Sequence, residues 1–200
     1  MSPVALIDAG GANLGSVRFA LQRIGCEPRL VRDADGLRGA GKVILPGVGA
    51  AAPAMALLHE RGLVAALRDL RVPLLGICLG MQLLYESSEE GDVAGLGLLA
   101  GRVARLPAGG GYRIPHMGWN TLRPLAPSPL LAGVAADEQV YFVHGYAAPV
   151  TGDCVAAASH GVEFAAVARR GLACGMQFHP ERSGQAGARL LANFLAMEAA

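Results

Sequence analysis

The stretch Leu74-Leu75-Gly76-Ile77-Cys78-Leu79-Gly80-Met81-Gln82 decides how the rest of the chain is read. The apolar run from Val72 to Ile77 has the length and composition of a buried parallel strand. It ends at a cysteine with glycines two residues before and two after, and the apolar residues from Leu79 to Leu84 suit a helix. Strand, G-x-C-x-G, helix is the nucleophile-elbow pattern with sulfur in place of oxygen. A turn that tight needs small flanking residues, strains the cysteine backbone and exposes its sulfur above the sheet. A helix N-terminus beneath the sulfur favours thiolate over thiol. Taken alone, Cys78 also fits a buried structural cysteine, the commonest fate of a free thiol.

Working outward, strands and helices alternate upstream of the elbow. Val4–Asp8, Pro28–Val31 and Val43–Leu45 read as strands. Ser16 is placed to cap a helix with the apolar face Val17, Ala20, Leu21 and Ile24, which Gly25 can end. Helical patterning runs from Ala51 to Leu70 with a break near Gly62. Downstream, Glu86 to Gly91 is polar, and short strands broken by Gly and Pro follow: Val103–Leu106, Asn120–Leu122, Val140–His144, Val155–Ser159 and Phe164–Ala168, read as antiparallel pieces packed onto one side. Leu172–Phe178 is the last clear strand, and Ser183 can begin a C-terminal helix with the stripe Leu190, Leu191, Phe194 and Leu195. The pattern predicts an α/β fold: an open, mostly parallel doubly wound sheet, helices on both faces, and an antiparallel extension. Such sheets bind ligands beyond the carboxyl ends of their strands, where Cys78 falls. With no repeat and no low-complexity linker, residues 1–200 read as a single domain.

Composition narrows the function classes. At 52% hydrophobic and 16% charged the chain is not intrinsically disordered. Seventeen basic and sixteen acidic residues make no polyanion-binding surface, which argues against nucleic acid as a partner. Cys26, Cys78, Cys154 and Cys174 lack the spacing of a structural zinc site, so no metal is expected. Asp8 interrupts the first apolar run, which is therefore no signal peptide. No segment approaches the about 18 uninterrupted apolar residues of a membrane span. A cytoplasmic, reducing setting is expected, where a thiol nucleophile survives. Two glycine-rich stretches are decoys. Gly36 to Lys42 has P-loop spacing, but Val43 replaces the Mg²⁺-holding hydroxyl and a strand follows where a helix should open. Gly47 to Ala52 resembles a dinucleotide loop but follows the third strand, and no acidic residue ends the next one.

A cysteine nucleophile needs a base within reach and a third group to orient that base. Of five histidines, His59 and His160 have ordinary polar surroundings. His179 falls where the last strand gives out, in Gln177-Phe178-His179-Pro180-Glu181. Pro180 keeps His179 out of helical geometry, and Glu181 can bend back to fix the imidazole tautomer. In isolation an H-P-E of this kind reads equally as a strand-end histidine beside a solvated glutamate.

Together, G-I-C-L-G-M-Q and Q-F-H-P-E closely resemble the active site of the class I glutamine amidotransferases, a family with a Cys-His-Glu triad. The resemblance implies Cys78 as nucleophile, His179 as general acid and base, and Glu181 as orienter. It implies that Gln82 holds the substrate's amino-acid end and that the Leu79 N–H is one oxyanion donor. The second donor is implied in the loop Pro46-Gly47-Val48-Gly49. Pro115-His116-Met117-Gly118-Trp119-Asn120 and Tyr141-Phe142-Val143-His144 resemble one branch, the glutaminase subunits of imidazole glycerol phosphate synthase in histidine biosynthesis. Asp8, Gly10, Asn13 and Leu14 fit that branch's opening loop. Three residues depart from its pattern: Ala12 where glycine is usual, Gly145 where a small hydroxyl residue is usual, and Arg182 where lysine is usual.

The implied chemistry is glutamine hydrolysis through a cysteinyl thioester, with no metal or organic cofactor. Free ammonia in water would be protonated and lost as a nucleophile. Because the chain carries no second constellation to receive it, a partner is expected, which in this branch is a (β/α)₈-barrel cyclase forming a heterodimer with the glutaminase. Asn13, Trp119 and Arg182 match positions near the shared face; Trp119 could instead fill the core. A Gly-Val-Gly peptide rotates at low steric cost, so the oxyanion donor at Gly47–Gly49 can be expected to turn inward only once the partner holds its own ligand. The alternatives are a glutaminase serving another synthase, against which P-H-M-G-W-N speaks, and a catalytically silent binding module of the same fold, against which the intact triad speaks.

Overall fold

A computed structural model describes residues 2–8, 10 and 13–198. The first half is strand–helix alternation: β1 (Val4–Ile7), α1 (Leu14–Arg23), β2 (Arg29–Val31), β3 (Lys42–Gly47), α2 (Ala51–Glu60), α3 (Leu63–Arg68), β4 (Leu74–Cys78) and α4 (Leu79–Leu83). Gly62, at φ +66°, makes the expected break between α2 and α3. The second half runs through β5 (Tyr85–Ser88), β6 (Val93–Ala94), β7 (Leu99–Arg105), β8 (His116–Thr121), β9 (Arg123–Pro124), β10 (Gln139–His144), β11 (Tyr146–Ala147), β12 (Cys154–His160), β13 (Val162–Arg170) and β14 (Ala173–Met176) to α5 (Gly184–Ala196).

The main sheet has the order β2-β1-β3-β4-β14-β13-β12-β9. Pairings from β2 to β14 are parallel, and those from β14 outward are antiparallel. Strand β14 lies beside β4, with Met176 opposite Ile77, so the ends of two strands far apart in sequence meet at one edge. Alternation within the strands buries both faces. Val4 and Leu6 join α1, α5 and Phe142 on one side, whereas Ala5 and Ile7 join Met55, Leu58 and Leu67 of α2 and α3 on the other. Each fully buried Leu or Ile contributes about 1.5–3 kcal/mol relative to exposure.

The later strands differ in part from the expectation of antiparallel pieces on one side. β9, β12 and β13 extend the main sheet itself. β8 and β10 form a separate hydrogen-bonded pair, and β5, β6, β7 and β11 form a third sheet in which β5 and β7 are parallel. The polar stretch after Tyr85 therefore contains a strand, held by pairing with β6 and β7 and buried at its two ends, Tyr85 and Ser88. At α1 the expected cap is also displaced: the helix begins at Leu14, so Ser16 lies inside its first turn and Asn13 takes the N-cap position. Ser183 does precede α5, but its hydroxyl caps nothing. It accepts from the Tyr141 N–H at 3.0 Å and donates to the His179 carbonyl at 2.7 Å. No helix among the described residues is long and apolar enough to cross a membrane.

Candidate active site

Cys78 ends β4 at φ +54°, a conformation L-residues rarely adopt, and α4 starts at the next residue. The flanking glycines make this possible by contact distance. A Cβ on Gly80 would lie 1.8 Å from the Leu45 carbonyl oxygen of β3, and one on Gly76 2.5 Å from the Gly80 oxygen. The sulfur thus reaches a cavity of about 190 Å³, lined among others by Val48, Gly49, Leu79, Gln82, Glu90 and His179.

His179 follows β14 and is brought to Cys78 by the β4–β14 pairing. Its main chain is pinned on β10, with its N–H donating to the Tyr141 carbonyl at 2.9 Å. Its Nδ1 lies 2.8 Å from Glu181 Oε1, which fixes the proton on Nδ1 when the ring is neutral and leaves Nε2 for the thiol. Burial alone would push this imidazole down. Hydrogen bonds and charge from Cys78 and Glu181 outweigh that, and hold it up at about 10. A cationic His179 beside Cys78 is the arrangement that stabilises a thiolate. Gln177 Nε2 adds a donor 3.9 Å from the sulfur. The other cysteines are buried and free. Burial pushes Cys154 up to about 11 and Cys174 up to about 12, which keeps them as inert thiols.

Asn13 was expected at a partner face, yet its side-chain Nδ2 donates to Glu181 Oε1 and lies 3.4 Å from His179 Nδ1. It converges with the imidazole on a single carboxylate oxygen. The Glu181 side chain is fully buried, and its Oε2 has no hydrogen-bond partner among the described residues. Gln82 donates to the Tyr146 carbonyl at 2.8 Å and to Gln177 Oε1 at 3.0 Å. Both amide hydrogens are committed, so only its carbonyl oxygen is left for a ligand. Leu79 opens α4, where first-turn N–H groups lack intrahelical acceptors. Gly47 is crowded, as an added Cβ would lie 2.8 Å from the Gly80 nitrogen, but Gly49, at φ +95°, has open space around it.

Trp119 is 54% exposed on β8, so it does not fill the core. It packs edge-on to Tyr141 at 5.8 Å, and the Arg182 guanidinium sits 5.6 Å above the same ring. Gly145 lines the cavity, and a Cβ there would meet only Ile114 at 3.7 Å, so the hydroxyl residue usual in the resembled branch would fit. Ala12 lies outside the described residues. Glu90, which sequence reasoning missed, lines the cavity and accepts from the Ala51 N–H at 2.8 Å. Its local sequence, Ser87-Ser88-Glu89-Glu90, reads as ordinary surface, and no pattern marks it.

Residues 5–197 match the family model described as glutamine amidotransferase class-I. The chain belongs to the class-I glutamine amidotransferase family. It is 65% identical, over 98% of both chains, to a protein of Xanthomonas axonopodis pv. citri named imidazole glycerol phosphate synthase subunit HisH. It is 64% identical to a protein of the same name from Xylella fastidiosa, over the full length of both. A crystal structure of a glutamine amidotransferase superposes with a TM-score of 0.75, covering 96% of each chain at 24% identity, a likeness in fold.

Proposed function

We propose that this chain is the glutaminase subunit of imidazole glycerol phosphate synthase, hydrolysing glutamine and passing the ammonia to a cyclase partner in histidine biosynthesis. The observation that carries the chemistry is Cys78 at the strained end of β4, lining one cavity with a histidine held by Glu181. Full-length identity of 63–65% to subunits of that synthase supports the particular branch.

The Cys78 thiolate attacks the side-chain carbonyl of glutamine. The developing oxyanion takes N–H bonds from Leu79 and from the Gly47–Val48–Gly49 loop; removal of one such donor typically costs about 10²–10³ in rate. The C–N bond breaks as His179 Nε2 gives its proton to the nitrogen, so ammonia leaves and a glutamyl thioester remains. His179 then takes a proton from water, whose oxygen attacks the thioester; glutamate departs and the thiolate returns. Glu181, steadied by Asn13, keeps the imidazole aligned throughout. The Gln82 carbonyl and the Glu90 carboxylate face the substrate's α-ammonium.

Ammonia is delivered to a (β/α)₈-barrel cyclase, in a cytoplasmic heterodimer in which residues 1–200 act as one amidotransferase domain. The exposed Trp119, edge-on to Tyr141, whose ring Arg182 covers, suits the shared face, because aromatic and arginine side chains dominate such interfaces. Asn13 contacts Glu181, the residue before Arg182. The oxyanion peptide turns at Gly49, the unhindered member of the loop.

The test is ammonia release from glutamine by the free chain, by its complex with a barrel cyclase, and by the complex holding a cyclase ligand. Rates should rise in that order. Cys78→Ala should abolish release in all three while the complex still uses added ammonia. Equal rates would remove the switching loop, and release by Cys78→Ala would remove the nucleophile. Failure of the chain to bind such a cyclase, while it binds another synthase, would move it to a different branch.

A further inference from the structure

Beyond the triad, a chain of hydrogen bonds, buried at His116 and His144, runs from the Trp119 strand to the glutamine pocket, and its proton positions follow from its ends. The Tyr146 carbonyl can only accept, so His144 Nδ1, 2.8 Å away, carries the hydrogen. His144 Nε2 is then a lone pair, and His116 Nδ1 at 3.0 Å must donate to it. That leaves His116 Nε2 as an acceptor facing Asn120 Nδ2 at 3.3 Å. Asn120 is oriented independently: its Oδ1 accepts from the Thr121 N–H at 2.8 Å, and its Nδ2 also donates to the Ser159 carbonyl at 2.8 Å. At the other end, Gln82 donates to the same Tyr146 carbonyl and to Gln177, which in turn donates toward the Cys78 sulfur.

We propose that His116 and Asn120 are positioning residues of the glutamine site. They lock His144 as its Nδ1–H tautomer and, through the Tyr146 carbonyl shared with Gln82, hold the His144–Gly145–Tyr146 wall in place for substrate. This rests on the reading of that cavity as the glutamine site. The geometry has little slack. His116 and His144 are buried, and the His116 ring is stacked between Phe142 at 4.9 Å and His160 at 4.1 Å. A proton added to His144 Nε2 would face the His116 N–H, donor against donor. The charges around His144 oppose that proton as well: His116 from β8, His160 from β12 and His179 after β14, with Glu90 and Cys78 across the cavity as the acidic groups. Burial and those histidines keep His144 down at about 3, and burial with His160 keeps His116 at about 4.

The tautomer is read directly from ¹⁵N spectra of the imidazoles in the full chain. Wild-type His144 should show hydrogen on Nδ1 and a bare Nε2 from neutral pH down to about pH 5, well above the values set by burial. His116→Phe retains the ring stack but loses the donor. His144 should then titrate nearer an ordinary histidine, and KM for glutamine should rise about tenfold, the equivalent of one hydrogen bond, with kcat altered less. His116→Asn places an amide N–H near the lost Nδ1 and should restore most of both. A wild-type His144 carrying hydrogen on Nε2, or His116→Asn as impaired as His116→Phe, would overturn the proposal. A wild-type chain that hydrolyses no glutamine would count against the amidotransferase reading, which the spectrum does not test.

Discussion

Asn13 precedes α1 as its N-cap, yet its amide leaves the helix uncapped and goes to Glu181. Glu181 is fully buried in its side chain, so the donors it receives fix both its charge and its direction. A hydrogen bond to a buried charged group is worth about 1.5–3 kcal/mol. Asn13→Ala should therefore lower the glutaminase kcat of the free chain by about 10- to 100-fold and leave KM nearly unchanged. Steady-state kinetics without any partner check this. Were Asn13 only an interface contact, the free chain would be unaffected and partner affinity alone would fall. Cys78 and its three fellow cysteines separate on the same local basis: one sits strained at a cavity it shares with His179, and the others are buried as inert thiols.

At the level of elements, the β4–α4 elbow depends on backbone approach that only glycine allows. Gly80→Ala would drive a methyl group to 1.8 Å from the Leu45 oxygen of β3, so strand and helix must separate. We expect a loss of about 3 kcal/mol or more, seen as a lower urea midpoint, together with loss of activity as Cys78 shifts. Gly15 in α1 is the contrasting case, with open space around an added Cβ and helical backbone. Gly15→Ala should gain about 0.5–1 kcal/mol from helix propensity. The G-x-C-x-G spacing and the Gly62 break were legible in the sequence because each is a local backbone demand. The displaced start of α1 was not, because Ser16 and Asn13 are both acceptable caps by residue type and the Asn13 side chain goes to Glu181 without capping the helix.

Across the whole molecule, buried histidines of opposite character set how stability depends on pH. His116 and His144 are held at about 4 and about 3, below their ordinary 6.5, so the unfolded chain takes up protons that the fold refuses. Stability should fall as pH drops below 6.5 toward those values, by up to about 1.4 kcal/mol per pH unit for each ring. His179 is raised to about 10, so its contribution is complete below 6.5 and is lost as pH rises through 10. Urea denaturation between pH 4.5 and 10 should show both limbs. His116→Phe should flatten the acid limb and Glu181→Gln the alkaline one.

The sequence by itself determined the alternation of the first half, the elbow at Cys78 and the strand-end His179 with its glutamate. Those features are written in short-range patterns: apolar period, paired glycines and a proline that ends a strand. Only the tertiary structure decided that β14 lies against β4, that Asn13 and Glu90 join the site, and that His116 and His144 share a proton chain. Strand order and the facing of side chains across sheets depend on which surfaces bury one another best. That is a property of the folded whole, and no short stretch of residues carries it.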